Sequence, residues 1–343
     1  MSFNREKFTV KGGKLKMKNI VILILFSLAF SSCYQDINLD KYKGANGENL
    51  LVLNSIMNPD STISAVASKT FFYSDSPEER EYVTNLDIEL LINGEEKGLM
   101  KYNPENNHYE SIYTPDESDI VELKTNYKGE PIECIDTIPT KVKIESVKVY
   151  REGPLAIYTT KDYYIVYEIT FTDPIDEDNF YFLQYDDSGR FVNGNLSFGV
   201  RDFTFEYVFQ QLARKIGAII PAWVPYSPDG LPFSDYGIEG KTHTLVVKEI
   251  IQGMRFMDPL PGYTHMHRKL SLYSISESYY NYLVSRLYNE TYDSDLHGGM
   301  IDLGFTEPLK TYSNINGGVG IFAGYCVDEK DIDVMEYTGT FPK

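Results

Sequence analysis

The feature that most constrains this chain is a two-residue alternation of apolar side chains, repeated in short runs. In LDIELLING, Leu86, Ile88, Leu90 and Ile92 fall on one face, and Asn93-Gly94 follows. That pattern predicts a half-buried strand entering a tight hairpin. NLLVLNSIMN (49–58), TISAVASKTFF (62–72), HYESIY (108–113) and IVELKTNYKG (120–129) continue it at roughly ten-residue intervals. Short strands at such spacing, with turn residues between them, predict a β-sandwich over residues 49–140. PIECIDTIPTKV (131–142), with two prolines, reads as the exit from this domain.

A second set of strands begins at KIESVKVY (143–150). In YYIVYEITFTD (163–173), Tyr163, Ile165, Tyr167, Ile169 and Phe171 share a face. FYFLQYD (180–186), FTFEYVF (203–209), THTLVVKEI (242–250) and RKLSLYSI (268–275) read as further strands. The period then changes. SESYYNYLVSRLYNE (276–290) carries Tyr279, Tyr280, Leu283, Leu287 and Tyr288 at helical spacing, with Ser276 as N-cap and Glu277 in the first turn. The fold class expected is therefore mainly β: two β-sandwich domains, 49–140 and 141–343, the second with one amphipathic helix.

The front of the chain is different. Residues 1–32 read as an export signal, with a better start at Met17, a positive Lys18 and an apolar run over 20–30. A run of eleven residues is too short to span a bilayer as a helix, which takes ~20. Ser31, Ser32 and Cys33 end the run, and a cysteine there is the acceptor for diacylglycerol in bacterial lipoproteins. More than one acyl chain would give a stable anchor. Residues 33–48 lack apolar periodicity and read as a flexible lipidated tether.

The segment after the signal is strongly acidic. Residues 1–32 hold six of the 32 basic residues and one of the 50 acidic ones, leaving a net charge of −23. Such a surface repels nucleic acid and anionic lipid alike, so a lipid would have to hold it at a membrane. Besides Cys33 there are two cysteines, Cys134 and Cys326, and an exported protein could bridge them.

Catalytic motifs are sparse. There is no G-x-S-x-G, S-x-x-K or H-E-x-x-H. His265 and His267 with Asp258, the acids Asp173, Asp176, Glu177 and Asp178, and YDSDLHGG around Asp293, Asp295 and Gly298 are candidate cation sites, but each reads better as a solvated loop or turn. Gly317, Gly318 and Gly320 do not form a phosphate loop, since a strand pattern follows them. No enzyme activity, cofactor or metal is expected. One stretch reads as a recognition surface: IIPAWVPYSPDGLPFSDYG (219–237) is proline-stiffened and holds Trp223, Tyr226, Phe233 and Tyr236. Exposed rings on a stiff loop suit a ligand or partner.

Several of these segments together carry a resemblance. LLVLNSIMNPD, FTDPIDEDNFYFLQ, SISESYYNYL and above all YSNINGGVGIFAGY resemble the Bacteroidetes outer-membrane lipoprotein family known as domain of unknown function 4249. Asn314, Ile315, Gly317, Gly318, Gly320 and Phe322 fit its last motif; Cys326 is not a position of it. The resemblance implies an immunoglobulin-like first domain and a fibronectin-like second sandwich with inserted loops. It implies no catalytic residue. It implies a role beside TonB-dependent outer-membrane receptors in nutrient uptake. Asp36 and Asp40 resemble the acidic tags that send lipoproteins of that phylum to the cell surface. The expected function is an outer-membrane, surface-facing accessory or binding subunit. The rival readings are an adhesin or structural surface component, and, behind it, a hydrolase.

Overall fold

A computed structural model describes residues 50–71, 80–152, 163–175, 177–186, 200–202, 206–216, 230–251, 267–292 and 310–334. They belong to one compact unit, Gly47–Lys343. In chain order the elements are β1 (Leu51–Met57), β2 (Ser64–Lys69), β3 (Glu89–Ile92), β4 (Glu95–Leu99), β5 (Lys101–Asn103), β6 (His108–Glu110), β7 (Ile120–Tyr127), β8 (Glu130–Thr137) and β9 (Ile144–Glu152). Then follow β10 (Tyr163–Thr172), β11 (Phe180–Asp186), β12 (Val200–Asp202), α1 (Tyr207–Ile216), β13 (Gly230–Ser234), β14 (Thr242–Ile251), β15 (His267–Ile275), α2 (Glu277–Tyr292) and β16 (Phe322–Asp333).

The fold is mainly β. One eight-stranded sheet runs β13-β11-β15-β16-β1-β2-β6-β5, and two four-stranded sheets run β12-β14-β10-β9 and β4-β3-β7-β8. Two hydrophobic cores form. The first gathers Leu51, Leu53, Ile88, Leu90, Val121 and Leu123 with their neighbours; the second gathers Ile165, Tyr167, Ile169, Phe171, Leu245 and Leu270 with theirs. The long sheet contributes to both. β16 alone gives Phe322 and Cys326 to the first core and Ile332 to the second. The chain from residue 141 onward therefore completes the core of the segment before it.

Local sequence explains the hairpins. Asn93 and Gly94 both have positive φ, 55° and 77°, and join Ile92 to Glu95 as a two-residue turn. Lys128 and Gly129, at φ 54° and 88°, do the same between Tyr127 and Glu130. Ser276 caps α2: its Oγ accepts from the Tyr279 amide at 3.2 Å.

Two expectations are corrected. Residues 131–137 are not part of the exit: they lie in β8, at the edge of its sheet, where Pro131 sits opposite Asn126, and the crossing follows them, with Ile138 packed in the first core and Val142 in the second. A proline is tolerated on an edge strand because the donor it lacks has no strand to bond on the open side. The strand expected over 203–209 is overturned from residue 207, where α1 begins. Val208, Phe209 and Leu212 bury one helical face in the second core, and this spacing outweighs the alternation of Phe203, Phe205 and Tyr207.

The glycine-rich stretch before β16 is a clasp. Val319 and Ile321 exchange backbone hydrogen bonds with Leu51, Leu53 and Ser55, which sets β16 parallel to β1. Asn314 locks the entry: its Oδ1 accepts from the Phe322 amide at 2.9 Å and its Nδ2 donates to the Phe322 carbonyl at 2.7 Å. Gly320 has φ 129°, and a Cβ there would lie 2.1 Å from the Leu53 carbonyl oxygen. At Gly317, a Cβ would lie 2.2 Å from the Pro131 carbonyl oxygen. The motif thus has a structural cause, backbone passing against backbone.

Candidate functional site

The recognition stretch divides in the structure. Trp223 and Tyr226 lie outside the described residues, as does Cys33. Residues 230–234 are strand β13, not loop. Phe233 is fully buried, ringed by Tyr181 at 5.2 Å, Phe209 at 5.3 Å and Phe171 at 6.3 Å between centroids. It packs the second core and is corrected from contact residue to core residue; the alternation along β13 points it inward. Tyr236, past the end of the strand, is 61% exposed.

Tyr236 has neighbours that the sequence did not bring together. It sits in the turn 235–241, where Ile238 N donates to the Asp235 carbonyl and Lys241 N to the Ile238 carbonyl. Tyr207, the first residue of α1, lies over this turn, 3.3 Å from where a Cβ on Gly237 would stand. Ile175 lies at its other end, 3.0 Å from a Cβ position on Gly240. Ile175 is 70% and Tyr207 47% exposed. Tyr207 and Ile175, both exposed, thus lie against the two ends of the turn that carries exposed Tyr236.

Buried carboxylates fix this corner. Asp173 accepts from the Tyr181 hydroxyl at 2.6 Å and from Gly240 N at 2.8 Å. Asp235 accepts from Asn179 N at 2.7 Å, while its own amide donates to the Asn179 carbonyl. Glu206, just ahead of α1, accepts from Val246 N at 2.6 Å and faces His243 Nε2 at 3.4 Å. Burial, with Asp173, Asp178 and Glu239 nearby, raises the pKa of Asp235. Burial and the bond to Asp173 push the Tyr181 hydroxyl far above its usual range. Asp173, weighed above as a cation ligand, is instead consumed by these bonds. Among the described residues no group of His, Cys, Asp and Glu is arranged to hold a metal ion. Asp176, Asp258, His265, Asp293, Asp295 and Gly298 lie outside them.

A second polar centre lies deep in the same sandwich and serves packing. Glu249 and Arg268 are buried and paired, Arg268 Nη2 donating to Glu249 Oε1 at 2.9 Å. The Tyr167 and Tyr185 hydroxyls donate to Glu249 Oε2 at 2.9 and 2.7 Å. A signal for it was present: Leu245, Val247 and Glu249 share the inward phase of β14, as Arg268, Leu270 and Leu272 share that of β15.

Cys134 and Cys326 remain free, so the possible disulfide is corrected. Both sit in the first core, but Cys134 Sγ faces the Leu123 carbonyl at 4.0 Å and Cys326 Sγ the Pro139 carbonyl at 3.0 Å. Burial pushes both thiols up to about 12, which suppresses the reactive thiolate.

Where the cores meet, half-buried Asp136 of β8 accepts from Gly324 N at 2.9 Å, with further bonds to Ser276 and Ser278. Burial outweighs these donors and pushes its pKa up to about 6. The unfolded chain titrates it near ~3.9. The folded state therefore holds the proton more tightly, and Asp136 contributes stability below about pH 4 that is lost as pH rises through about 6. Asp136→Asn should remove that dependence. Relative to wild type, its stability in urea melts should rise by about 1–2 kcal/mol between pH 4 and pH 7.5. Parallel pH profiles for the two proteins would show that the carboxyl does not titrate as described.

A family model described as domain of unknown function (DUF4249) matches residues 35–331. No curated protein matches the chain. Among solved structures, a crystal structure of a Corynebacterium diphtheriae protein described as membrane anchored matches over 66% of this chain, at 9% identity and a TM-score of 0.20. The chain spans about half, 55%, of that protein. Among the described residues no helix is long and apolar enough to cross a membrane.

Proposed function

Because the chain belongs to the DUF4249 family, which it matches over residues 35–331, we propose that it is a lipid-anchored outer-membrane protein, facing the cell exterior. It acts there as a non-catalytic accessory or binding subunit of a TonB-dependent uptake system. One observation carries the anchor: the apolar run over 20–30 ends directly in Ser31-Ser32-Cys33, and an acidic tether follows. The resemblance supplies the transporter. The exposed corner at Ile175, Tyr207 and Tyr236 is consistent with work by contact.

Cys33→Ala tests the anchor. The variant is expected to leave the membrane fraction and lose palmitate labelling. If it keeps both, the lipid reading is wrong. Tagged wild type solubilised gently from outer membranes tests the partnership: a TonB-dependent barrel should come down at near one-to-one yield. Recovery of the protein alone, or only with itself, removes the uptake reading.

A further inference from the structure

We propose that the corner formed by Ile175, Tyr207 and Tyr236 is the docking face for a protein partner, one that presents an apolar side chain flanked by lysine or arginine. This rests on the accessory reading above and names the surface it would use.

Three observations converge on that occupant. First, the three side chains are large and exposed, and they gather at one turn: Tyr236 belongs to it, and Tyr207 and Ile175 lie against its Gly237 and Gly240. Exposed apolar residues scattered singly are ordinary, whereas a contiguous patch marks a contact. Tyrosines in particular bring much area with little rotamer freedom to lose, and they recur at the energetic centres of interfaces.

Second, the corner is built in advance. Asp173, Asp235 and Glu206 tie the turn 235–241, the segment around Asn179 and the neighbouring strand to one another through buried bonds. A partner meeting this face would order little of it on binding, so less of the contact energy is spent.

Third, the rim is mainly acidic. Glu177, Asp178 and Glu239 are exposed around the patch. Their charges act on the buried carboxyl and phenol beneath it: Asp178 and Glu239 on Asp235, Glu177 on Tyr181. Lys241, also exposed, turns its ammonium back to the Gly237 carbonyl at 3.3 Å. An acidic ring around an apolar centre selects a partner with the opposite ring, steering it in and disfavouring wrong ones. The same ring disfavours an anionic lipid surface, and a second copy of this chain would bring like charge against like.

The test uses the full lipidated chain in outer membranes. A photo-reactive benzoylphenylalanine replaces Tyr236, and in a control it replaces Ile135, exposed on β8 of the first sandwich. The expected result is an adduct at position 236 and not at 135. Its partner peptide, mapped by mass spectrometry, should join an apolar side chain to lysine or arginine. The adduct should fall about tenfold in roughly 0.5 M salt, and by a similar factor when Glu177→Lys, Asp178→Lys and Glu239→Lys are combined. Circular dichroism melts of the charge variant confirm that it is folded. Equal adducts at both positions, an adduct indifferent to charge and salt, or an adduct only to lipid or to a second copy would overturn the proposal. If an outer-membrane barrel co-purifies at one-to-one yield but position 236 gives no adduct, the docking face is wrong and the accessory reading stands. If neither appears, both fall.

Discussion

Gly320→Ala should unfold the clasp. The expected loss exceeds about 3 kcal/mol, read as a lower urea midpoint with an unchanged slope. Two effects combine. The backbone at φ 129° lies in a region that side chains rarely adopt, and the new methyl would stand 2.1 Å from the Leu53 carbonyl oxygen. Neither β1 nor the clasp can retreat easily, because Val319 N donates to the Leu51 carbonyl and Leu53 N to the Val319 carbonyl, each at 2.9 Å. Gly94→Ala is the control. Its φ is 77° with nothing within 4 Å of the new Cβ, so only conformational strain is added. That costs about 1–2 kcal/mol. Equal losses at the two positions would mean that close approach does not demand glycine at 320.

Arg268→Met should be nearly as damaging. It removes the guanidinium from Glu249 and leaves a buried carboxylate facing the Tyr167 and Tyr185 hydroxyls. Breaking a buried pair from one side costs about 3–5 kcal/mol. Adding Glu249→Leu removes the stranded charge as well, and the double variant should recover most of the loss. A double variant as unstable as the single one would show that the charge pair is not what Arg268 serves. The tyrosines report the same chemistry by another route. Burial holds both phenols well above their usual range, so neither should ionise in an absorbance titration until the protein unfolds.

Much of the fold was legible where local signals agreed. Asn93-Gly94 ended an alternating run and made its hairpin. Ser276 preceded a helical stripe and capped it. Where two signals competed, the reading went astray. Phe203, Phe205 and Tyr207 alternate like a strand, but Val208, Phe209 and Leu212 had a core to fill, and tertiary burial decided for helix. Pro131 read as part of an exit because a proline's cost depends on which neighbour the strand lacks, which is not a local property; Pro139 does lie in the crossing, between Ile138 of the first core and Val142 of the second. The strand pattern after the glycine stretch corresponds to β16. That the strand would lie parallel to β1, over 260 residues away, was invisible to any window.

The candidate corner was legible only at Tyr236. Phe233 belongs to the same aromatic cluster in the sequence, but it lies in β13 and faces the core, whereas Tyr236 falls in the turn after the strand. Ile175 and Tyr207 come from distant segments, and only the folded chain brings them to the turn. Charged residues in the inward phase of a strand, Glu249 among them, were the overlooked clue to the ionic centre.

The position of β1 also sets how the protein bears a load. Any pull on the N-terminal side reaches the folded strands through the chain ahead of Leu51. That residue opens a strand paired on both sides, antiparallel to β2 and parallel to the clasp and β16. The bonds to both neighbours run across the strand, so tension along it strains them together, in shear, instead of peeling them one by one. Leu50 adds a further fastening where the pull arrives, its carbonyl accepting from Thr70 N at 3.0 Å and its amide donating to Thr70 Oγ1 at 3.1 Å. β16 then carries the tension onward, since its far end is anchored among the side chains of the other sandwich through Ile332. A chain tugged at one end would thus hold as a single mechanical body, with no weak first strand to be stripped away.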